Sequence, residues 1–470
     1  MKTFAGIRLR RLREERHLTQ AVLAKTIGIS PSYLNQLEKN QRPLTVAVLL
    51  KLTSALGVDA QLFSDDDEAR MLSALRDVVA DMAPEIQIAT AELREIATQM
   101  PAVGRLIQSL HSRYRGAVEQ ADALSAGLGE DRQAAGFRPT PFEEVRDVFA
   151  AHRNHFPTLD EAAEAIGQGW LSPERSVAGL RERLSSRHGI RIVSWEGEEP
   201  TALRAFEPAS RVLRLSARLR PGQQAFQLAT QLAFLEMADE LDRLVGEARL
   251  TSEESRKLLR VGLANYFAGA LILPYGPFLA AAEAQRYDIE ALSAGFGHGF
   301  ETICHRLSTL QRPGARGVPF FFIRVDRAGN ISKRQSATDF HFSRVGGTCP
   351  LWNVYGAFEL PGRILTQLAA MPDGRTYLWL ARTVSRSGGG YGRTGRTFAI
   401  GLGCDVQHAE RLVYSRGLDL VERHAATPIG MGCKICERPG CAQRAFPAVG
   451  RPLIIDEQIG GLAPYAAHPV

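Results

Sequence analysis

Residues 18–45, LTQAVLAKTIGISPSYLNQLEKNQRPLT, decide the fold of the N-terminal part of the chain. Apolar residues recur there at a three-to-four-residue spacing, at Leu23, Ile27, Leu34 and Leu37. This spacing predicts two short amphipathic helices, Thr19–Ile27 and Ser30–Lys39. Thr19 and Ser30 are suited to cap the helix N-termini, and Gly28 suits the tight turn between the helices. The stretch therefore predicts a helix-turn-helix.

The same helical spacing extends on both sides of this stretch and defines a predicted head of residues 1–64. Its predicted core residues are Ile7, Leu12, Leu18, Val22, Leu23, Ile27, Leu34, Leu37, Val48, Leu49, Leu52 and Leu56. Thr45 is placed to cap a fourth helix. Residues 1–60 hold ten Lys and Arg against four Asp and Glu, and this net charge of +6 suits contacts with DNA phosphates.

The second helix of the pair is predicted to enter the major groove of DNA, where side chains at its N-terminal end read base edges. The predicted DNA contacts are Thr19, Gln20, Ser30, Ser32, Tyr33, Gln36, Asn40 and Arg42. The stretch resembles the helix-turn-helix of phage repressors and XRE-type regulators, with Ala24, Gly28 and the run S-x-S-Y-L-x-x-L-E in place. That resemblance implies binding to double-stranded operator DNA, as a homodimer on paired half-sites.

The composition predicts a cytoplasmic protein of several domains. With 470 residues, 45% of them hydrophobic, the chain is long enough for several buried cores. It has no apolar run of the roughly 20 residues that a membrane helix needs. Its basic N-terminus leads into no apolar signal core, so neither secretion nor membrane association is expected. The net charge is uneven, with +9 in residues 311–470 and −9 in residues 61–310.

Beyond the head, the pattern predicts a multidomain chain with an all-α head and two α+β domains. Residues 65–140 are predicted to form a helical linker or dimerisation region, with apolar residues at Leu72, Leu75, Val78, Val79 and Met82. Residues 141–310 predict an α+β domain with long helices over Gln223–Val245, Ser252–Leu273 and Tyr287–Leu310. Residues 311–470 carry short β-rich runs separated by turns and predict an α+β, β-rich C-terminal sensor domain.

The segment Gln227–Leu241, QLATQLAFLEMADEL, resembles the active-site helix of ImmA/IrrE metallopeptidases, in which an H-E-x-x-H motif binds zinc. The two histidine positions hold Leu235 and Asp239, and Glu236 follows the first. Leu235 cannot bind a metal, and residues 255–282 offer no acidic third ligand. The middle domain is therefore expected to be ImmA/IrrE-like without zinc, and the chain is not expected to be an enzyme. Glu236 and Asp239 are expected to be solvated acids on the helix face.

Three of the six cysteines lie close together, as Cys433, Cys436 and Cys441. Adjacent thiolates repel one another unless a metal neutralises them, so this spacing predicts a zinc site or an iron–sulfur cluster. Both normally take four ligands. The candidates for the fourth ligand are Cys404 and Cys349, with His408 and His424 as weaker candidates.

The order of these parts resembles that of the short-chain fatty acyl transcriptional regulators of the RamB/PrpR type. The stretches that carry the resemblance are CERPGCAQRAFP (436–447), GTCPLWNVYGAF (347–358) and DVQHAERLVYSRGLDL (405–420). The family implies a regulator of propionate or acetate metabolism that senses a short-chain acyl-CoA, such as propionyl-CoA or acetyl-CoA. It also implies a four-cysteine iron–sulfur cluster, expected as 4Fe-4S, on Cys404, Cys433, Cys436 and Cys441.

An acyl-CoA needs cations for its phosphates and an apolar cavity for its acyl end. The residues predicted to line such a pocket are Phe322, Arg324, Phe342, Arg344, Trp352, Tyr355 and Arg382. Three alternatives stay open on the residues alone. They are a redox-sensing regulator whose cluster is the signal, a peptidase that acts on a repressor, and a structural zinc site without a sensing role.

Overall fold

The computed structural model describes residues 6–16, 18–39, 41–42, 44–56, 66–82, 88–125, 140–195, 202–337, 349–372, 374–386, 391–392, 395–422, 425–430, 432–433, 436, 438, 441–444, 453–454, 458 and 466–467. The chain divides into two compact units. The first contains residues 1–114, 341–346 and 446–470, and the second contains residues 115–340 and 347–445. Each unit is built around its own hydrophobic residues.

Four short helices begin the first unit: α1 (Gly6–Glu15), α2 (Gln20–Ile27), α3 (Pro31–Glu38) and α4 (Val46–Leu56). Their common core contains the predicted residues Leu12, Leu23, Ile27, Leu34, Leu37, Val48, Leu52 and Leu56. Leu18 and Leu49 pack against the edge of this core. Val22 is exposed, so its predicted core position is wrong, because Leu23 and Ile27 already form the buried side of α2. The side chain of Ile7 lies outside the described residues.

Three more helices follow: α5 (Asp66–Met82), α6 (Thr90–Gln99) and α7 (Pro101–Ser125). Leu72 and Leu75 of α5 pack with Leu93 and Ala97 of α6 in a small separate core. Met82 is exposed and does not join this core. Pro101 begins α7, because the first turn of a helix does not use the N–H that proline lacks.

The second unit opens with helices around a three-stranded sheet. The helices are α8 (Pro141–Ala151), α9 (Pro157–Ile166), α10 (Pro173–His188), α11 (Pro221–Glu236), α12 (Ala238–Glu247), α13 (Glu253–Ile272), α14 (Tyr275–Ala284), α15 (Ile289–Phe296) and α16 (Phe300–Leu307). The strands are β1 (Arg191–Trp195), β2 (Arg204–Glu207) and β3 (Val212–Ser216), in the order β1-β3-β2. The predictions of single helices over Gln223–Val245 and Tyr287–Leu310 are wrong. The second is divided because Gly297 takes φ +68° and ends α15.

A six-stranded sheet forms the rest of the second unit. Its strands are β4 (Phe321–Val325), β5 (Ile331–Ser336), β6 (Leu365–Ala370), β7 (Thr376–Arg386), β8 (Arg396–Asp405) and β9 (Thr427–Pro428), in the order β5-β4-β8-β7-β6-β9. The short helix α17 (Asn353–Gly356) contacts β6, β7 and β8. One hydrophobic core runs from the helices into the sheet, so the two parts share buried residues. Two further strands, β10 (Leu453–Ile454) and β11 (Ala466–Ala467), belong to the first unit and pair antiparallel.

Among the helices of the described residues, no single one is long and apolar enough to cross a membrane. The pair α13 and α14, bent by 62°, meets the criteria of length and composition when taken together. Leu263, Phe267 and Phe278 of this pair are fully buried in the core of the second unit.

Candidate functional site

The helix-turn-helix is fixed by caps at both of its helix N-termini. Thr19 Oγ1 accepts a hydrogen bond from the Val22 amide at 3.3 Å, and Ser30 Oγ accepts one from the Tyr33 amide at 3.1 Å. Gly28 ends α2 at φ +66°, a left-handed conformation that glycine adopts without strain. The caps and the turn together set the direction of α3, the predicted recognition helix.

A buried ionic network holds α3 against α1 and α2. Glu38 is 4% exposed and accepts hydrogen bonds from the Arg13 guanidinium at 2.6 and 3.1 Å. Gln20 Nε2 donates to the same carboxylate at 2.7 Å. The side chain of Gln20 is therefore directed into the head. Its amide is engaged by Glu38 in this geometry and is not presented to DNA.

The other predicted DNA contacts lie on the outer side of the head. Thr19, Ser30, Ser32 and Arg42 are exposed, and Tyr33 and Gln36 are half-buried. Arg42 Cζ lies 5.7 Å from the centroid of the Tyr33 ring, so a cation stands beside the N-terminal half of α3. Asn40 lies outside the described residues. The arrangement presents polar side chains at the helix end that reads base edges in the major groove.

The peptidase-like helix is broken where a zinc site would need it to continue. α11 ends at Glu236 and α12 begins at Ala238, with Met237 between them at φ −112° and ψ 16°. An H-E-x-x-H site needs both histidine positions on one continuous helix face. Leu235 lies on α11 and Asp239 on α12, so the two positions belong to different helices.

Glu236 is tied to α10, so the expectation that it is a solvated acid is wrong. Arg183 donates to both of its carboxylate oxygens, at 2.8 and 2.7 Å, and His188 Nε2 lies 3.0 Å from Oε1. Burial favours the neutral acid, but the hydrogen bonds and charge of Arg183 and His188 outweigh it and lower the pKa of Glu236. Asp239 is exposed, as expected.

The same helix meets a half-buried arginine from β2. Arg204 is in register with the buried Leu215 and so lies on the inner face of the small sheet, with Cζ 5.3 Å from the Phe234 ring centroid. Arg260 approaches that ring at 5.4 Å and pairs with Asp242. Among the described residues no carboxylate pairs with Arg204, and burial lowers its pKa to about 10. Sequence reasoning missed Arg204, because β2 itself was not predicted.

One part of the predicted acyl-CoA pocket lies on the side of the large sheet that faces the helices. Phe322, Arg324 and Arg382 share this face through the register of β4, β8 and β7. Arg324 Nη1 donates to Glu301 at 3.0 Å, and Arg382 Nη1 donates to Glu290 at 3.2 Å. Phe322 is fully buried. Both predicted cations are therefore already paired with carboxylates of α15 and α16.

The other part lies on the opposite side of the sheet. Trp352 packs edge-on against Trp379, which alternates with the residues of the first face, at a centroid distance of 4.5 Å. Tyr355 belongs to α17, which covers this second face. Phe342 and Arg344 lie outside the described residues. Because successive residues of a strand point to opposite faces, the sheet separates the predicted set, and its described members do not line one pocket.

Four cysteines line one pocket of about 300 Å³, counting the space open to solvent: Cys349, Cys433, Cys436 and Cys441. Cys404 is not among its lining residues. It is fully buried on β8 in the hydrophobic core, where burial raises the pKa of its thiol. Cys349, one of the alternatives for a fourth ligand, therefore shares a pocket with the three clustered cysteines, and Cys404 does not.

Arginine and glycine shape this cysteine pocket. Arg444 donates to the carbonyl oxygens of Cys433 at 3.3 Å and of Cys436 at 3.0 Å. A Cβ on Gly430 would lie 2.7 Å from Cys436 Sγ, so glycine leaves the room that the thiol occupies. Thiols beside guanidinium groups suit an anionic metal–thiolate centre. Within the described residues, no three metal-binding side chains already stand at coordinating positions, so the thiols share a cavity and not a closed coordination shell.

A capped helix-turn-helix, a peptidase-like domain whose motif helix is broken at Met237 and a cysteine-bearing sheet domain define a class, the multidomain helix-turn-helix transcriptional regulators. Three family models match the chain in this order: helix-turn-helix over residues 9–63, IrrE N-terminal-like domain over 185–308, and short-chain fatty acyl coenzyme A regulator, C-terminal, over 309–465. These matches confirm the predicted fold class and the predicted resemblance.

Known proteins place the chain within that class. It is 51% identical to the HTH-type transcriptional regulator RamB of Mycobacterium tuberculosis over 467 residues, which are 99% of this chain and 98% of that protein. It is 45% identical to the propionyl-CoA carboxylase regulator of Cereibacter sphaeroides, again over 99% of this chain and 98% of that protein. A solved structure of a Mycobacterium tuberculosis transcriptional regulator matches with a TM-score of 0.67 and 51% identity, covering 70% of this chain and 100% of that one. The chain therefore belongs to the RamB/PrpR family of short-chain fatty acyl-CoA regulators.

Proposed function

We propose that this chain is an operator-binding regulator of propionate or acetate metabolism whose affinity for DNA is set by a short-chain acyl-CoA. The observation that carries the proposal is the match of residues 309–465 to the acyl coenzyme A regulator domain in a chain with a capped recognition helix. A relative that is named as a regulator of propionyl-CoA carboxylase supports the same metabolic role. The ligand changes DNA affinity only if it binds one of two protein states better.

Fluorescence anisotropy of the full-length protein on its own promoter duplex tests this proposal. We expect propionyl-CoA or acetyl-CoA to change operator affinity by about tenfold or more, and free propionate to have no effect. Identical curves with and without each acyl-CoA contradict the sensing role. An equal affinity for the promoter and for a random duplex contradicts operator binding.

We place the CoA phosphates at Arg204. Arg324 and Arg382 already pair with Glu301 and Glu290, whereas no described carboxylate pairs with Arg204. A half-buried cation without a described carboxylate partner gains more from an anionic ligand than a paired cation does, because no existing ion pair has to be broken. The ring of Phe234 beside it offers the apolar surface that a ligand pocket needs.

Replacing Arg204 by methionine tests this placement, with Arg218→Gln on the exposed surface as the matched control. In calorimetric titrations, we expect Arg204→Met to weaken propionyl-CoA binding by about tenfold or more, since a charge-assisted contact is lost. Operator binding without ligand should not change in either variant. Unchanged propionyl-CoA binding by Arg204→Met contradicts the placement.

We propose that the cysteine pocket holds an iron–sulfur cluster on Cys349, Cys433, Cys436 and Cys441. A bound cluster of this kind supplies one-electron redox chemistry. The chain's own contribution is a fixed loop, because Arg444 holds the main chain at two of the cysteines. The lining residues Arg438 and Arg444 favour an anionic centre.

Iron and sulfide analysis of anaerobically purified variants tests this assignment. We expect Cys349→Ser to lose most of the iron and sulfide, and Cys404→Ser to keep them, because only Cys349 lines the pocket. The reverse result contradicts the assignment. Zinc in place of iron in the unmodified protein identifies a zinc site instead.

A redox sensor is a second candidate function, favoured by the partial exposure of Cys433 and Cys441. Thiolates and clusters that reach the surface are open to oxidants. To test this, operator affinity is measured for protein kept anaerobic and for protein exposed to air, both without acyl-CoA. A change in affinity supports redox sensing, and identical curves contradict it.

A further inference from the structure

Lys333 lies on β5, an edge strand of the six-stranded sheet, directly opposite Arg324 of β4. Residues that stand opposite each other share a face, so the lysine is on the side of the sheet that faces the helices. Two residues further along β5, Gln335 Oε1 accepts a hydrogen bond from Ser308 Oγ, just beyond α16, at 3.3 Å. Lys333 is half-buried on this face, so its amine can be reached from the edge of the sheet.

Two cations share one carboxylate at this place. Glu301 of α16 accepts a hydrogen bond from Arg324 at 3.0 Å, and among the described residues no carboxylate pairs with Lys333. Like charges directly opposite each other on neighbouring strands are destabilising, so the ammonium form of Lys333 is disfavoured. Burial and the charge of Arg324 lower the pKa of Lys333 to about 8, although the charge of Glu301 opposes this shift.

The other titratable groups around β5 do not supply the missing counter-ion. Burial lowers the pKa of His305 on α16 well below its ordinary value, so its ring is neutral. That ring packs edge-on against Phe322 at a centroid distance of 5.6 Å. Helix α8 also contacts β5. Its charged side chains have other partners: Glu143 bonds to Thr140, Glu144 to the Thr251 amide, and Arg146 to Asp147.

We propose that Lys333 is a site at which a short-chain acyl-CoA acylates this chain. The neutral amine attacks the thioester carbonyl, an amide C–N bond forms, the C–S bond breaks, and the amine proton leaves with the CoA thiol. A lysine that is desolvated and stands beside another cation is an activated nucleophile. Arginine keeps its proton and cannot take this role. The chain has only seven lysines among its 57 Lys and Arg residues, so few other side-chain amines compete.

Two features favour an acyl-CoA as the acyl donor. Lys333 lies within residues 309–465, the part of the chain that matches the short-chain fatty acyl coenzyme A regulator model. Acylation also replaces the ammonium by an uncharged amide and leaves Arg324 and Glu301 as a balanced pair. The proposal rests on the proposed function only for the identity of this reactant.

Peptide mass spectrometry of the unmodified full-length protein, incubated with propionyl-CoA at pH 8, tests the proposal. We expect Lys333 to be propionylated at least about tenfold faster than Lys257, an exposed lysine of α13, because an exposed ammonium is strongly hydrated. The rate at Lys333 should level off above about pH 8, whereas an ordinary lysine keeps gaining neutral amine up to about pH 10.4. Incubation with free CoA is the blank.

The variant Arg324→Gln tests the geometry while keeping the reacting lysine. It removes the opposing cation and frees Glu301 to pair with Lys333, so we expect propionylation at pH 8 to slow by about tenfold or more. Arg218→Gln on the exposed surface is the matched control and should keep the rate of the unmodified protein. Equal rates at Lys333 and Lys257 in the unmodified protein, or an unchanged rate in Arg324→Gln, overturn the proposal.

Operator binding by the same samples separates this proposal from the proposed function. If propionyl-CoA changes operator affinity while Lys333 stays unmodified, the sensing role holds and the acylation is overturned. If Lys333 is propionylated while operator affinity is the same with and without propionyl-CoA, the modification holds and the sensing role is contradicted.

Discussion

Glu38 connects three helices of the head, and its removal leaves Arg13 buried without its counter-ion. Breaking a buried ion pair at one partner is strongly destabilising, so we expect Glu38→Ala to lower the free energy of unfolding by about 3 kcal/mol. Urea denaturation followed by circular dichroism measures this. Glu14→Ala is the control, since the exposed pair of Glu14 with Arg10 is screened by solvent and should contribute far less to stability than the buried pair. Equal effects of the two substitutions would show that the network is not stabilising.

His298 links the stability of the second unit to pH. It is buried, and burial lowers its pKa to about 4. An unfolded histidine takes up a proton near pH 6.5, so the unfolded state binds more protons between these values. Stability that is complete above pH 6.5 is therefore lost as the pH falls towards about 4. We expect melting temperatures of His298→Asn to vary less over this range than those of the unmodified protein; parallel profiles would refute the assignment.

Single residues also show which features of the fold the sequence predicts. The sequence correctly predicts that Leu23 and Leu34 lie in the core, because helical spacing is a local property. Whether Cys349 or Cys404 lies beside the C-terminal cysteines depends on which strand or loop folds back to them, and local sequence does not determine this. Gln20 has the chemistry of a phosphate contact, but the position of Glu38 decides where its amide points.

At the scale of elements, the break between α11 and α12 matters more for the middle domain than the identity of the motif residues. We expect the double variant Leu235→His, Asp239→His to bind no zinc, because the two histidines would stand on different helices and Glu236 is already held by Arg183. Metal analysis after dialysis against micromolar zinc measures this, with the unmodified protein as the blank. One tightly bound zinc per chain would show that the helix reforms.

Elements also explain why the predicted acyl-CoA pocket does not form as one set. Phe322 and Arg324 stand two residues apart on β4 and lie on one face of the sheet, as the period-two pattern of a strand predicts. Trp352 and Tyr355 come from a segment whose side of the sheet the sequence does not specify. Which strands become neighbours, and which face of the sheet α17 covers, depend on contacts between residues far apart in the sequence. The sequence therefore did not reveal that the predicted aromatic and basic residues lie on opposite faces.

For the whole molecule, sensing requires that binding of acyl-CoA and binding of DNA by the head are thermodynamically coupled. Such coupling is reciprocal: if propionyl-CoA changes operator affinity tenfold, the operator must change propionyl-CoA affinity tenfold, which is about 1.4 kcal/mol in either direction. We expect calorimetric titrations of propionyl-CoA into the protein, free and saturated with its operator, to differ by the same factor that anisotropy gives for DNA. A random duplex that is not bound provides the control.

The presence or absence of this coupling between acyl-CoA and operator binding also separates the two candidate signals, acyl-CoA and the cluster. If acyl-CoA is the signal, the coupling should persist in Cys349→Ser, because the loss of a cluster ligand leaves Arg204 and Phe234 in place. If the cluster is the signal, the coupling to acyl-CoA should be absent even in the intact protein, while air exposure shifts operator affinity. Measuring both titrations on the intact and the Cys349→Ser protein therefore decides which site the head responds to, since a site without differential affinity for the two states shifts nothing.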